Sequence, residues 1–81
     1  MARNFEYQIC TVQEARVTWV NGVWIGTQPI VADHRQVLDS CPHTWDYLNM
    51  VGQDGWELVS STSTVWQEAV RYETLYLKRG R

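Results

Sequence analysis

The sequence predicts an α+β domain in which two antiparallel β-hairpins form a four-stranded sheet and one helix packs on one face, in the order β-β-α-β-β. Three observations carry this. Apolar and polar residues alternate in two well-separated stretches, around residues 5–19 and 70–77. An Asn21-Gly22 dipeptide sits between apolar runs. A proline-initiated, helix-spaced segment lies between the two alternating regions and ends in glycines. With 81 residues, the chain forms a single domain over 1–81.

The first strand is expected where Phe5, Tyr7 and Ile9 alternate with Glu6 and Gln8, which assigns the apolar set to the buried side. The alternation slips over Cys10–Gln13, the mark of a bulge or bend, and resumes at Ala15, Val17 and Trp19. Asn21-Gly22 supplies the two positive φ angles of a type I′ turn, so Val20 pairs with Val23, Trp19 with Trp24, Thr18 with Ile25 and Val17 with Gly26. The two indoles then meet at a non-hydrogen-bonded position, where cross-strand side chains lie closest, and Gly26 leaves a gap beside them. One face reads Val17, Trp19, Trp24, Gly26 and the other Thr18, Val20, Val23, Ile25. Both are apolar, so something must cover the second.

Pro29 ends the hairpin, because it cannot donate to an internal ladder. Residues 30–40 read as a connecting loop with a helical turn over Asp33–Leu38. Ser40-Cys41-Pro42 is a helix entry, with proline in the first turn. Cys41, Trp45 and Leu48 share a face that Val51 or Gly52 continues, and Gly52 and Gly55 supply the left-handed stop. Trp56 and Leu58 then enter the core around a solvent-facing Glu57, and Ser60–Thr64 continues as a polar strand. The second reversal falls at Trp66-Gln67-Glu68. The last strand places Val70, Tyr72, Thr74 and Tyr76 on one side and Arg71, Glu73, Leu75 and Leu77 on the other, before a mobile basic tail, Lys78–Arg81.

Composition narrows the function. Seven Lys and Arg against nine Asp and Glu give a net charge of −2, too acidic for a polymer of phosphates to bind non-specifically. No apolar run nears the ~20 residues of a membrane-crossing helix. The opening residues lack the apolar segment of a secretion signal, which points to the cytoplasm. Cys10 and Cys41 read as reduced thiols. Cys41-Pro42-His43, even with His34, falls short of the four ligands of a structural zinc site, and no metal or other cofactor is expected. The same Cys-His pair lacks a third orienting group for nucleophilic catalysis. The carboxylates fall mostly in solvent phases of strands and turns, and no phosphate loop or nucleophile elbow is present, so a non-enzymatic role is expected.

What remains is ten aromatic residues, five of them Trp, in a chain too small to hide every indole. Indole faces stack on planar rings and arginine grips phosphate, so Trp19, Trp24 and Trp66, with Tyr72 beside them and Arg16, Arg35 and Arg71, are the candidate ligand-binding set. The ligand expected is planar and phosphate-bearing, a nucleotide-like molecule that the protein sequesters. A lone helix covers only one sheet face, so the exposed strip of Val20, Val23 and Ile25, or its Trp-bearing counterpart, favours a homo-oligomer, dimer or tetramer. The alternative is an interaction or assembly module that docks a protein through the Trp-bearing hairpin.

The segment Leu48-Asn49-Met50-Val51-Gly52-Gln53-Asp54-Gly55-Trp56-Glu57-Leu58-Val59, the opening Phe5-Glu6-Tyr7 and the closing Leu77-Lys78-Arg79 resemble a family of small bacterial and phage proteins. That family is catalogued as domain of unknown function 4177. The resemblance covers the start, residues 45–59 and the end, and implies a fold rather than a chemistry. The extensions that hold Trp19, Trp24 and Trp66 lie outside it.

Overall fold

A computed structural model describes residues 4–29, 34–66 and 70–80; at His34, 64–66, Val70 and Arg71 it describes the backbone alone. The fold is α+β, with a five-stranded antiparallel sheet and two helices, one strand and one helix more than expected. In chain order the elements are β1 (Phe5–Gln13), β2 (Arg16–Val20), β3 (Val23–Trp24), α1 (His34–Asp39), α2 (Thr44–Gly52), β4 (Glu57–Trp66) and β5 (Val70–Gly80). The sheet order is β3-β2-β1-β5-β4, so β1 and β5 form its centre.

The extra strand comes from the slipped alternation after Cys10, which is a reversal rather than a bend. Glu14 and Ala15 take φ of 49° and 63°, and the chain doubles back so that Gln13 pairs with Arg16. These are the angles of a type I′ turn, reached without the Asn or Gly that usually advertises one. The bulge lies instead on β2. Thr11 pairs with Trp19 and Val12 with Val17, which leaves Thr18 as the extra residue. Val17 and Thr18 are therefore both turned inward, and the Thr18 hydroxyl donates to the Thr11 carbonyl at 3.2 Å.

The Asn21-Gly22 hairpin has the expected register: Val20 pairs with Val23 and Trp19 with Trp24, and the Ile25 amide donates to the Thr18 carbonyl at 3.0 Å. The expected Val17–Gly26 pair does not form. Past the bulge, the Val17 amide donates to the Pro42 carbonyl at 2.9 Å and the Thr44 amide to the Ala15 carbonyl at 2.9 Å, so the helix-entry segment takes that edge of β2.

The core is built from Cys10, Val12, Val17, Leu75 and Leu77 of the sheet against Tyr47 and Val51 of α2, with Val20, Ile25, Leu48 and Trp56 packed around them. This inverts the side of β1 expected to be buried. Gln8, Cys10 and Val12 face the helix, while Phe5, Tyr7 and Ile9 are exposed. Two alternations of opposite phase overlap at Ile9–Cys10, and β5 decides between them by pairing Leu77 with Gln8 and Leu75 with Cys10. On α2, Tyr47 and Val51 point inward one turn apart, and Trp45 is 57% exposed rather than part of the face expected. It stacks on His43 at 4.3 Å. Leu58, expected in the core, also stays exposed, although it pairs with buried Leu77.

Gly55 has the left-handed φ (92°), whereas the Gly52 stop is not left-handed. The expected helical turn before residue 40 is α1, a helix of six residues. Lys78 and Arg79, expected in a mobile tail, belong to β5. The second reversal expected at Trp66-Gln67-Glu68 falls partly outside the described residues; Trp66 pairs with Val70 in the β4–β5 ladder.

Candidate functional site

The Trp19–Trp24 pair is where the hairpin register puts it, with ring centroids 5.5 Å apart in an edge-to-face arrangement. Both indoles are half-buried. The Trp24 indole N–H donates to the Gln28 carbonyl at 3.0 Å. Its ring fills the gap over Gly26, where an added Cβ would meet both the ring and the Ser40 hydroxyl at 2.6 Å. Beside it runs a groove of about 430 Å³ lined by Thr27, Gln28, Gln36, Asp39 and Ser40.

Of the other expected ligand residues, Arg16, Arg35 and Tyr72 do not line this groove. Arg16 is a structural clamp: its guanidinium donates to the Cys41 carbonyl at 2.6 Å and the Asp39 carbonyl at 3.2 Å, and pairs with the Asp39 carboxylate at 3.6 Å. It thereby ties β2 to the α1–α2 junction. Arg35 is exposed on α1 and has its own interactions. Tyr72 is half-buried opposite Gln13, with β1 between its strand and that of Trp19. The side chains of Trp66 and Arg71 lie outside the described residues, although Val65 pairs with Arg71 in the β4–β5 ladder.

The three segments that carry the family resemblance meet in space. On the helix side of the sheet, Arg79 lies 4.5 Å from the Trp56 ring centroid, pairs with Glu6 at 2.7 Å and donates to the Asp54 carbonyl at 3.3 Å. On the other side, Lys78 lies 4.8 Å from the Phe5 ring and pairs with Glu57 at 3.7 Å. Gly55, at positive φ, turns the chain so that Trp56 can sit under Arg79. The motif is therefore a two-sided clasp joining β1 and β5 to the turn between α2 and β4.

The buried Gln8 side chain has partners, whereas His43 Nδ1 and the Thr44 hydroxyl are buried with no hydrogen-bond partner among the described residues. The Gln8 side-chain carbonyl accepts from the Tyr47 hydroxyl and, at 3.3 Å, from the Cys10 thiol. Burial pushes the titrations of Tyr47, Cys10 and Cys41 upward, so these groups stay protonated and the thiols are poor nucleophiles. Both cysteines are free and buried. No group of metal-ligating side chains is found among the described residues, and none of their helices is long and apolar enough to cross a membrane.

Among the described residues, one exposed apolar surface is on the side that the sequence reading had assigned to the core. The side of β1 and β5 turned away from the core cluster bears Phe5, Tyr7, Ile9 and Tyr76, with Tyr7 64% and Ile9 46% exposed. Ile9 pairs directly with Tyr76, and Trp19 pairs with Thr11 on the same side. The signal in the sequence was partial: the apolar phase passes from Phe5, Tyr7 and Ile9 to Cys10 and Val12, so apolar residues fall on both faces of the strand. No family model, curated protein or solved structure matches the chain.

Proposed function

We propose that this protein is a non-enzymatic, homo-oligomeric assembly module whose uncovered sheet face docks a second copy of the chain. The observation that carries the reading is the exposed row of Phe5, Tyr7, Ile9 and Tyr76 on the two central strands. Apolar and aromatic side chains contiguous on one face are the usual core of an interface. Three strands about ten residues long, with β2 beside them, present a face on the order of 600 Å². A standard interface takes about 800 Å² from each partner.

Charge favours a second copy as the occupant. A two-fold contact brings each patch against itself, so net charge on the patch is repelled. The ionic groups on this side, Lys78 and Glu57, already pair with each other, and the intervening ladder residues are Ser60, Thr62, Thr74 and Thr11. Of the expected strip of Val20, Val23 and Ile25, Val20 and Ile25 pack on the core and only Val23 is exposed, which favours the Trp-bearing side for docking. The buried free thiols suit a reducing compartment such as the cytoplasm.

The groove beside Trp24 supports a second reading, a small polar ligand. Its ionic wall is the Asp39 carboxylate, which pairs with Arg16 at 3.6 Å, and a carboxylate there favours an uncharged or cationic ligand over a phosphate. A thermal-shift series with nucleotides and nucleosides separates the cases: stabilisation by nucleotides restores the phosphate-bearing ligand, and stabilisation by nucleosides alone supports the groove. The assembly reading is tested by Ile9→Lys, which places a charge in the middle of the face at an exposed position. The variant is expected to keep its monomer fold by circular dichroism and to lose self-association by light scattering; an unchanged mass would overturn the reading.

A further inference from the structure

The two edges of the sheet are treated differently. One is closed: β3 is only two residues long, and the rest of the β2 edge is taken by the Pro42–Thr44 segment through the Val17–Pro42 and Thr44–Ala15 hydrogen bonds. The other edge is β4, ten residues long, with the side chains of residues 57–63 all exposed. Natural edge strands are blunted by charge, proline, shortness or bulges, because their free N–H and C=O groups invite another strand. Between Leu58 and Trp66 there is no charged residue, no proline and no glycine. The bulge lies at the Leu58–Ser60 end and leaves a regular ladder from Ser60 to Trp66.

The sequence of this edge also reads alike in both directions. About Thr62, Ser61 matches Ser63, Ser60 matches Thr64, Val59 matches Val65 and Leu58 matches Trp66. An antiparallel strand pair across a two-fold axis sets each residue i against the residue reflected through the centre, so in this edge like residues meet like. Over the regular part of the ladder it sets hydroxyl against hydroxyl, Ser60 against Thr64, Ser61 against Ser63 and Thr62 against Thr62, a favourable cross-strand pairing with no like charges opposed.

We propose that β4 pairs antiparallel with β4 of a second copy, Thr62 opposite Thr62, to make a continuous ten-stranded sheet. This rests on the reading that copies of the chain associate, and it adds a second contact distinct from the face. Two-fold contacts through an edge and through a face, on perpendicular axes, together generate a tetramer. Either one alone gives a dimer.

The test uses three variants of the full chain, measured by sedimentation equilibrium. S61K/S63K sets lysines against each other across the axis, on the side of β4 turned away from the docking face, and S61E/S63E does the same with carboxylates. Each is expected to halve the mass and weaken the edge contact at least tenfold, with the melting of the subunit retained. An equimolar mixture of the two is expected to restore the wild-type mass, because unlike charges then face each other. A mass unchanged in S61K/S63K, or a mixture that stays at the halved mass, would overturn the pairing. Ile9→Lys tells the two contacts apart. Dissociation by Ile9→Lys but not by S61K/S63K upholds the face and refutes the edge. The reverse upholds the edge and refutes the face. A wild-type monomer refutes both.

Discussion

The two sides of β1 differ by one residue of phase and by almost everything else. Toward α2 the strand presents Gln8, Cys10 and Val12, all buried. Away from it the strand presents Phe5, Tyr7 and Ile9, larger and more apolar as a set, yet exposed. Hydrophobicity alone picks the wrong side. The side is decided by tertiary pairing: Leu75 and Leu77 on β5 stand opposite Cys10 and Gln8, and Tyr47 supplies the partner that makes a buried Gln8 tolerable. A buried amide with a satisfied hydrogen bond is compatible with a core, whereas large rings on the far side are left for another molecule.

The sharpest way to break this contrast is truncation on each side. Leu77 is 1% exposed, so Leu77→Ala should cost about 3 kcal/mol of unfolding free energy through the cavity it leaves. Tyr7→Ala, on the open side, should change the unfolding of a dilute, dissociated sample by less than about 0.5 kcal/mol in urea titration. Equal costs would mean that the open side is not open.

Gln8→Ala probes the polar part of the covered side. It strands the Tyr47 hydroxyl in the core, and a loss of about 2 kcal/mol is expected. Adding Tyr47→Phe to it should recover part of that loss, because the orphaned donor is then gone. A Gln8→Ala protein as stable as wild type would show that this amide does not select the buried side.

A smaller gain is expected where the chain reverses between those sides. Glu14 and Ala15 hold positive φ without the residue types that favour it. Replacing them by Asn and Gly should raise stability by about 1 kcal/mol, read as an increase in the urea midpoint. No gain would mean that the Glu14 and Ala15 side chains offset the strain by contacts of their own.

How much of this was legible follows from where the information sits. The α+β class and the Trp19–Trp24 register were readable, because Asn21-Gly22 sets a two-residue turn and hence every pair that follows until the bulge. The Glu14-Ala15 reversal was not, since neither residue favours left-handed backbone and the break in alternation looks the same for a bulge and a turn. Arg16 was read as a free cation because its partners are backbone carbonyls of residues 39 and 41, more than twenty positions away, which leave no mark in side-chain composition. Trp45 was assigned to the core by helical spacing, yet the inward stripe runs through Tyr47 and Val51. Lys78 and Arg79 looked like a tail until Glu57 and Glu6 were brought beside them by the sheet.

The central claim, that the side bearing Tyr7, Ile9 and Tyr76 is covered by a second copy, is tested most directly by NMR with a soluble paramagnetic probe. The ring protons of Tyr7 and Tyr76 are followed as the protein is concentrated. Their relaxation enhancement is expected to fall with association while that of Trp45, exposed on α2, stays constant. Enhancement at Tyr7 and Tyr76 that remains at its dilute value throughout would contradict the account.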